Sequence, residues 1–107
     1  MTLEIAVTHW LESLEARNVK PLTYRRYKGV ICAFRDFIGP ETYMGKITRT
    51  QVEDFFRIRN GRHPATKALE IGILKQFLDY CIANAWLQLS PAASLPIPRW
   101  RVAERKP

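Results

Sequence analysis

Six basic residues, Arg17, Lys20, Arg25, Arg26, Lys28 and Arg35, follow one another without an intervening acid. A second acid-free group, Arg57, Arg59, Arg62 and Lys67, comes later in the chain. Cations at this density do electrostatic rather than covalent chemistry. They attract a polyanion and neutralise phosphates, and nucleic acid is the commonest polyanion a small basic domain meets. A solvated basic surface is the plainer alternative.

The residues that could do covalent or metal chemistry are scattered. Cys32 and Cys81 lie inside apolar helical pattern with no C-x-x-C, which reads as two reduced core thiols. Two cysteines and two histidines without close spacing make no zinc site. Tyr24, Tyr27 and Tyr80 fall on apolar faces, where a structural role is expected. Tyr43 sits in a loop without an activating neighbour. No catalytic constellation assembles, and no cofactor or metal is implied.

These residues need elements to position them. The chain has 107 residues, of which 47% are hydrophobic, enough for one domain with one core. Its formal net charge is +7. No apolar run approaches the ~20 residues of a membrane span. The opening "MTLEIAVTHW" is acidic and amphipathic, unlike a signal peptide.

Helical periodicity predicts four helices. The first spans about 3–17, with Thr2 as N-cap and Ile5, Trp10, Leu11 and Leu14 inward. Pro21 breaks the pattern. The second spans about 22–38, with Tyr24, Tyr27, Ile31, Phe34 and Ile38 on one face and Val30 and Phe37 widening it. Gly39-Pro40 ends it, and 39–47 is a loop. The third runs from a Thr48/Gln51 capping box to about Asn60, with Val52, Phe55, Phe56 and Ile58 inward. The fourth, from Pro64 to about Ala85, is apolar over more than half its circumference, including Leu69, so it should be central. Only Ala65, Ala68, Gly72, Lys75, Gln76 and Asp79 are left outside. The absence of strand-like alternation makes the fold all-α, a compact bundle of four main helices. Residues 1–89 form the helical domain. Residues 90–107, with four prolines, four cations and one acid, form a proline-rich basic linker.

The outward face of the second helix carries Arg25, Gly29, Cys32 and Asp36, with Arg26 and Ala33 to one side. Gly29 in mid-helix costs about 1 kcal/mol relative to Ala. Small residues recur at Ala65, Ala68 and Gly72 of the fourth. They would allow helix-on-helix packing, or the approach of a nucleic-acid backbone to cation-bearing helix ends.

Three stretches then carry a resemblance that runs from about Leu3 to Pro98. They are "TYRRYKGVICAFRDFIG" through Thr23, Tyr27, Phe34 and Phe37; "KITRTQVEDFFRIR" through Ile47, Thr48, Val52 and Phe55; and "HPATKALEIGILKQFLDYCIANAWLQLSPA" through Thr66, Leu69, Leu74, Phe77, Tyr80 and Pro91. In order and spacing the chain resembles the N-terminal core-binding (SAM-like) domain of phage integrases and other tyrosine recombinases. It departs at the exit, where Trp86 lies near the family's Gly position and Ser90 replaces its Asn.

The resemblance implies a DNA-binding domain, half of a clamp that holds a recombination site for integration or excision. Its helices matching the second and fourth would face the major groove. It implies double-stranded DNA, a C-terminal catalytic domain of the same parent protein and other recombinase protomers on DNA as partners. It implies a bacterial or phage-encoded protein of the cytoplasm, with no membrane partner. The family's H-x-x-R is missing, since His9 has Glu12 and His63 has Thr66 at i+3, so this chain should not itself be an enzyme. The expected DNA contacts are Lys20, Thr23, Arg25, Arg26 and Lys28 on the second helix, and Arg62, His63, Thr66 and Lys67 at the start of the fourth. His63 would serve equally as a neighbour of the N-cap. Arg57 and Arg59 read as plain surface. The competing function is a basic helical protein-interaction module, for which Ile97 and Trp100 would be apolar contacts.

Overall fold

Helix starts follow from local chemistry. In the computed structural model, which describes residues 1–59 and 63–91, Thr2 caps α1 (Leu3–Ala16) by accepting from the Ile5 amide at 3.4 Å. Thr48 and Gln51 form the reciprocal capping box of α3 (Arg49–Ile58), with bonds of 3.2 and 2.9 Å. Helices α2 (Pro21–Ile38) and α4 (Pro64–Ala83) each open on a proline, whose missing N–H costs nothing in a first turn. A 3-10 turn, Met44–Lys46, lies between α2 and α3. No strand occurs among the described residues, and the fold is all-α.

Helix ends are less obvious from sequence. Asn18 and Ala85 both adopt left-handed backbone, at φ 57° and 62°. Around Ala85, the Trp86 amide donates to the Cys81 carbonyl (2.9 Å) and the Ala85 amide to Ile82 (3.0 Å). Around Asn18, Val19 donates to Leu14 (3.4 Å) and Asn18 to Glu15 (3.0 Å). Both are Schellman closures. The left-handed position at the exit of α4 is therefore Ala85, not Trp86. Gly39, at φ 109°, closes α2.

The first amides of α1 are held by the loop after α2. Leu3 donates to Thr42 at 2.8 Å and Glu4 to Pro40 at 2.9 Å, while Met44 donates back to Met1 at 3.0 Å. An isolated bridge between Thr2 and Tyr43 completes this junction. Met44, given to a loop by its sequence context, is 1% exposed.

The core is aromatic at its centre. Trp10 stacks on Tyr27 (5.8 Å between centroids) and meets Phe77 edge-on (5.5 Å). Phe34 meets Phe55 edge-on at 5.3 Å. Helix α4 supplies Ile71, Ile73, Leu74, Phe77, Leu78 and Cys81, and packs on α1 and α2, in keeping with a central place. Tyr24, Tyr27 and Tyr80 lie partly buried against this core.

Several inward assignments do not survive. Ile5 is exposed because Leu3, Ala6, Val7, Trp10 and Leu14 form the actual stripe of α1. Ile58 is exposed because it lies past the edge of the arc of Val52, Phe55 and Phe56, about 110° from its centre. Phe37 is 40% exposed and meets the core at Phe55, its ring tilted 5.7 Å from that ring's centroid. Leu69 is 38% exposed, on the flank of α4 that faces α2. Cys32, expected outward, is half-buried against the core. Helices α1, α3 and α4 stop at Ala16, Ile58 and Ala83, slightly short of the expected ends.

Candidate nucleic-acid interface

The N-terminal half of α2 presents its cations to solvent. Lys20, Arg25, Arg26 and Lys28 are exposed, and among the described residues none enters an ion pair. This contrasts with Arg35, Arg49 and Arg57, which pair with Asp36, Glu53 and Asp54 at 3.1, 3.0 and 2.8 Å. The Lys20 N-cap contributes no side-chain cap and the first turn of α2 holds no acid, so the helix begins electropositive.

Glycine completes this surface. A Cβ built on Gly29 would meet nothing within 4 Å, and the same is true of Gly72. Neither residue is small in order to admit another of the described helices. Gly29 lies between Arg25 and Lys28 on one side and Ala33 on the other, around the solvent face of α2.

Helices α2 and α4 meet alongside this face. Gln76 Nε2 donates to the Tyr27 hydroxyl at 3.4 Å. Nearby, Leu22, Thr23, Arg26 and Tyr27 line an open groove of about 220 Å³ whose other wall is Leu69. Thr23 and Arg26 are thus brought against α4, while Arg25 and Lys28 point away from the groove. Thr66 is one turn before Leu69 on the same flank of α4. Lys67, two residues from Leu69 and so about 200° around the helix, lies on the opposite flank. Arg62 is outside the described residues, as is nearly all of the 90–107 segment.

His63 is the N-cap of α4. Its Nδ1 accepts from the Ala65 amide at 3.0 Å, so this ring nitrogen carries no proton in this geometry.

Arg59 departs from its expected role. It is not plain surface: Nε and Nη2 donate to Glu70 Oε1 and Oε2 at 3.0 and 2.9 Å. The side chains are only 19% and 7% exposed. The bond to Glu70 raises the guanidinium pKa above its ordinary value, against the opposing effect of burial. Arg59 also lies over the Phe55 ring, 5.2 Å from its centroid. The signal was a lone acid, Glu70, in the apolar run "LEIGIL", since a carboxylate on a buried arc requires a cation. Arg57 does lie on the surface.

No protein-family model matches the sequence, and no curated protein does. A solved structure does match: a lambda integrase fragment, residues 75–356, crystallised as a dimer bound to a COC′ core site. The TM-score is 0.80 at 22% sequence identity, over 92% of this chain. The fold is that of a helical part of lambda integrase. The chain spans 36% of the fragment's length.

Among the described residues no group of three or more His, Cys, Asp or Glu side chains could hold a metal ion. No described helix is long and apolar enough to cross a membrane.

Proposed function

We propose that this chain is the DNA-binding, SAM-like core-binding domain of a tyrosine site-specific recombinase. It forms half of a clamp on double-stranded DNA, together with a catalytic domain of the same parent protein, and works beside other protomers on the recombination site. The protein, bacterial or phage-encoded, acts on DNA in the cytoplasm. In this reading the cleavage chemistry belongs to the catalytic domain, not to this chain.

The observation that carries the reading is the exposed, acid-free cation cluster of α2, none of whose four charges enters an ion pair among the described residues. Surface cations elsewhere on α2 and α3 have acid partners. A cluster without them is available to phosphates. The fold likeness to a DNA-bound lambda integrase fragment supports the same reading. Lys20, Arg25 and Lys28 would take phosphates from the outward side of α2. Thr23 and Arg26 would do so at the groove, and Arg62, His63, Thr66 and Lys67 at the start of α4.

A salt titration of duplex binding tests this. If about five phosphates are neutralised, log K falls with log salt at a slope of about −4 to −5. Affinity unchanged between low and moderate salt would contradict the reading. Binding to an acidic protein but not to duplex would favour the protein-interaction module.

A further inference from the structure

Leu22 is 69% exposed in the first turn of α2, close in sequence to the exposed cations Lys20, Arg25 and Arg26. A large aliphatic side chain gains nothing from water there. Leu69, 38% exposed, lies across the groove on α4. Between them are Thr23, Arg26 and Tyr27. The groove therefore has an apolar rim and a cationic, hydroxyl-bearing wall. None of its lining residues is acidic.

A partner for this surface must be anionic overall and must also offer small apolar groups beside its charges. Duplex DNA has one such group on its base edges, the C5 methyl of thymine, which stands in the major groove. The major groove is about 12 Å wide, matching the 10–12 Å diameter of a helix with its side chains. Arg26, one turn after Leu22 on the same side of α2, can hold a phosphate or base edge while the leucine meets the methyl. We propose that Leu22 and Leu69 form a thymine-methyl contact, so that this domain prefers thymine-bearing duplex at the positions facing the groove. The proposal rests on the DNA-binding reading above and adds a base preference to it.

The test compares two A·T-rich duplexes of one sequence, one with thymine and one with deoxyuridine throughout. They share phosphates, hydrogen-bond donors and acceptors, and differ in the methyl. The 107-residue chain is titrated against both by fluorescence anisotropy. The expected result is about three- to fivefold tighter binding of the thymine duplex per methyl buried. In Leu22→Ala, and more fully in Leu22→Ala with Leu69→Ala, the difference closes while the salt slope stays as in wild type. Leu22 is mostly exposed, so Leu22→Ala should melt close to wild type, while Leu69 is mostly covered, so the double variant should melt somewhat lower and is assayed well below its own melting temperature. Equal, salt-dependent affinity of the wild type for both duplexes would overturn the methyl contact and leave the DNA-binding reading standing. A preference that persists in the double variant would come from duplex shape and would overturn the assignment to these leucines. No salt-dependent binding to either duplex would overturn both.

Discussion

Arg59, the residue that caps the end of α3, grips Glu70 of α4 through two parallel N–H···O bonds, of 3.0 and 2.9 Å. The pair joins the end of one helix to the second turn of the next, so it sets how α4 leaves α3. Truncating one partner leaves the other charge largely desolvated, and such losses run to about 3–5 kcal/mol. Arg59→Ala should therefore lower the urea midpoint strongly. Arg57→Ala, which removes an exposed i,i+3 pair with Asp54, should change stability by no more than about 0.5 kcal/mol. Equal midpoints would mean that the Arg59–Glu70 pair does not tie the helices together.

Gly29 separates charge from packing. With nothing near its Cβ position, Gly29→Glu and Gly29→Lys should fold as well as wild type, or gain up to about 0.5 kcal/mol from helix propensity. Glutamate puts a negative charge beside Arg25 and Lys28, so duplex affinity should fall. Lysine offers similar bulk with the opposite sign and should restore much of the loss. If both variants bind equally poorly, close approach rather than charge is decisive. Full affinity in a stable Gly29→Glu variant would remove this face of α2 from the interface.

Ala85 holds a backbone conformation that costs an L-residue roughly 1–2 kcal/mol. Glycine carries no such penalty, although it loses more chain entropy on folding. Ala85→Gly should therefore stabilise the protein, by about 0.5–1 kcal/mol, and raise its melting temperature. Ala83→Gly, inside the last turn of α4, provides the opposite sign by about 1 kcal/mol. If both substitutions destabilise alike, the left-handed closure at Ala85 is not strained.

Burial pushes the Cys81 thiol up from 9.0 to about 12. The folded state thus keeps this proton in a range where the unfolded chain has released it. The associated stability is complete below about pH 9 and is lost as pH rises towards 12. Cys81→Ala should show a shallower alkaline decline in melting temperature than wild type. Thiol reagents in the native state should modify the half-buried Cys32 first. Labelling of Cys81 ahead of Cys32 would contradict its burial.

Legibility from sequence tracked the range of the interactions involved. The starts of α1, α3 and α4 were readable because Thr2, Thr48 with Gln51, and Pro64 act within a few residues. The core face of α2 was readable because Ile31 and Phe34 share one periodic stripe. Arg59 was misread because its partner lies 11 residues away on another helix, beyond any single-helix spacing. Leu69 was misread because its flank faces a groove, and whether a groove is filled depends on Leu22 and Arg26 of α2. Ala85 left no trace, since a left-handed alanine has no compositional mark. The cations of α2 were readable as a cluster in the sequence. That Thr23 and Arg26 turn towards α4 while Arg25 turns away needed the packing.

The bonds from Leu3 and Glu4 to the carbonyls of Thr42 and Pro40 impose an order on assembly. During synthesis α1 emerges before α2, yet two of its leading amides lack the acceptors they have in the folded chain until the loop beyond α2 has left the ribosome. Closing a segment of about 40 residues costs roughly 3 kcal/mol of chain entropy. The start of α1 should therefore remain frayed in nascent chains that lack residues 40–44 and become protected from hydrogen exchange only once they are out. In that sense the loop after α2, rather than α1 itself, sets when the first helix is finished.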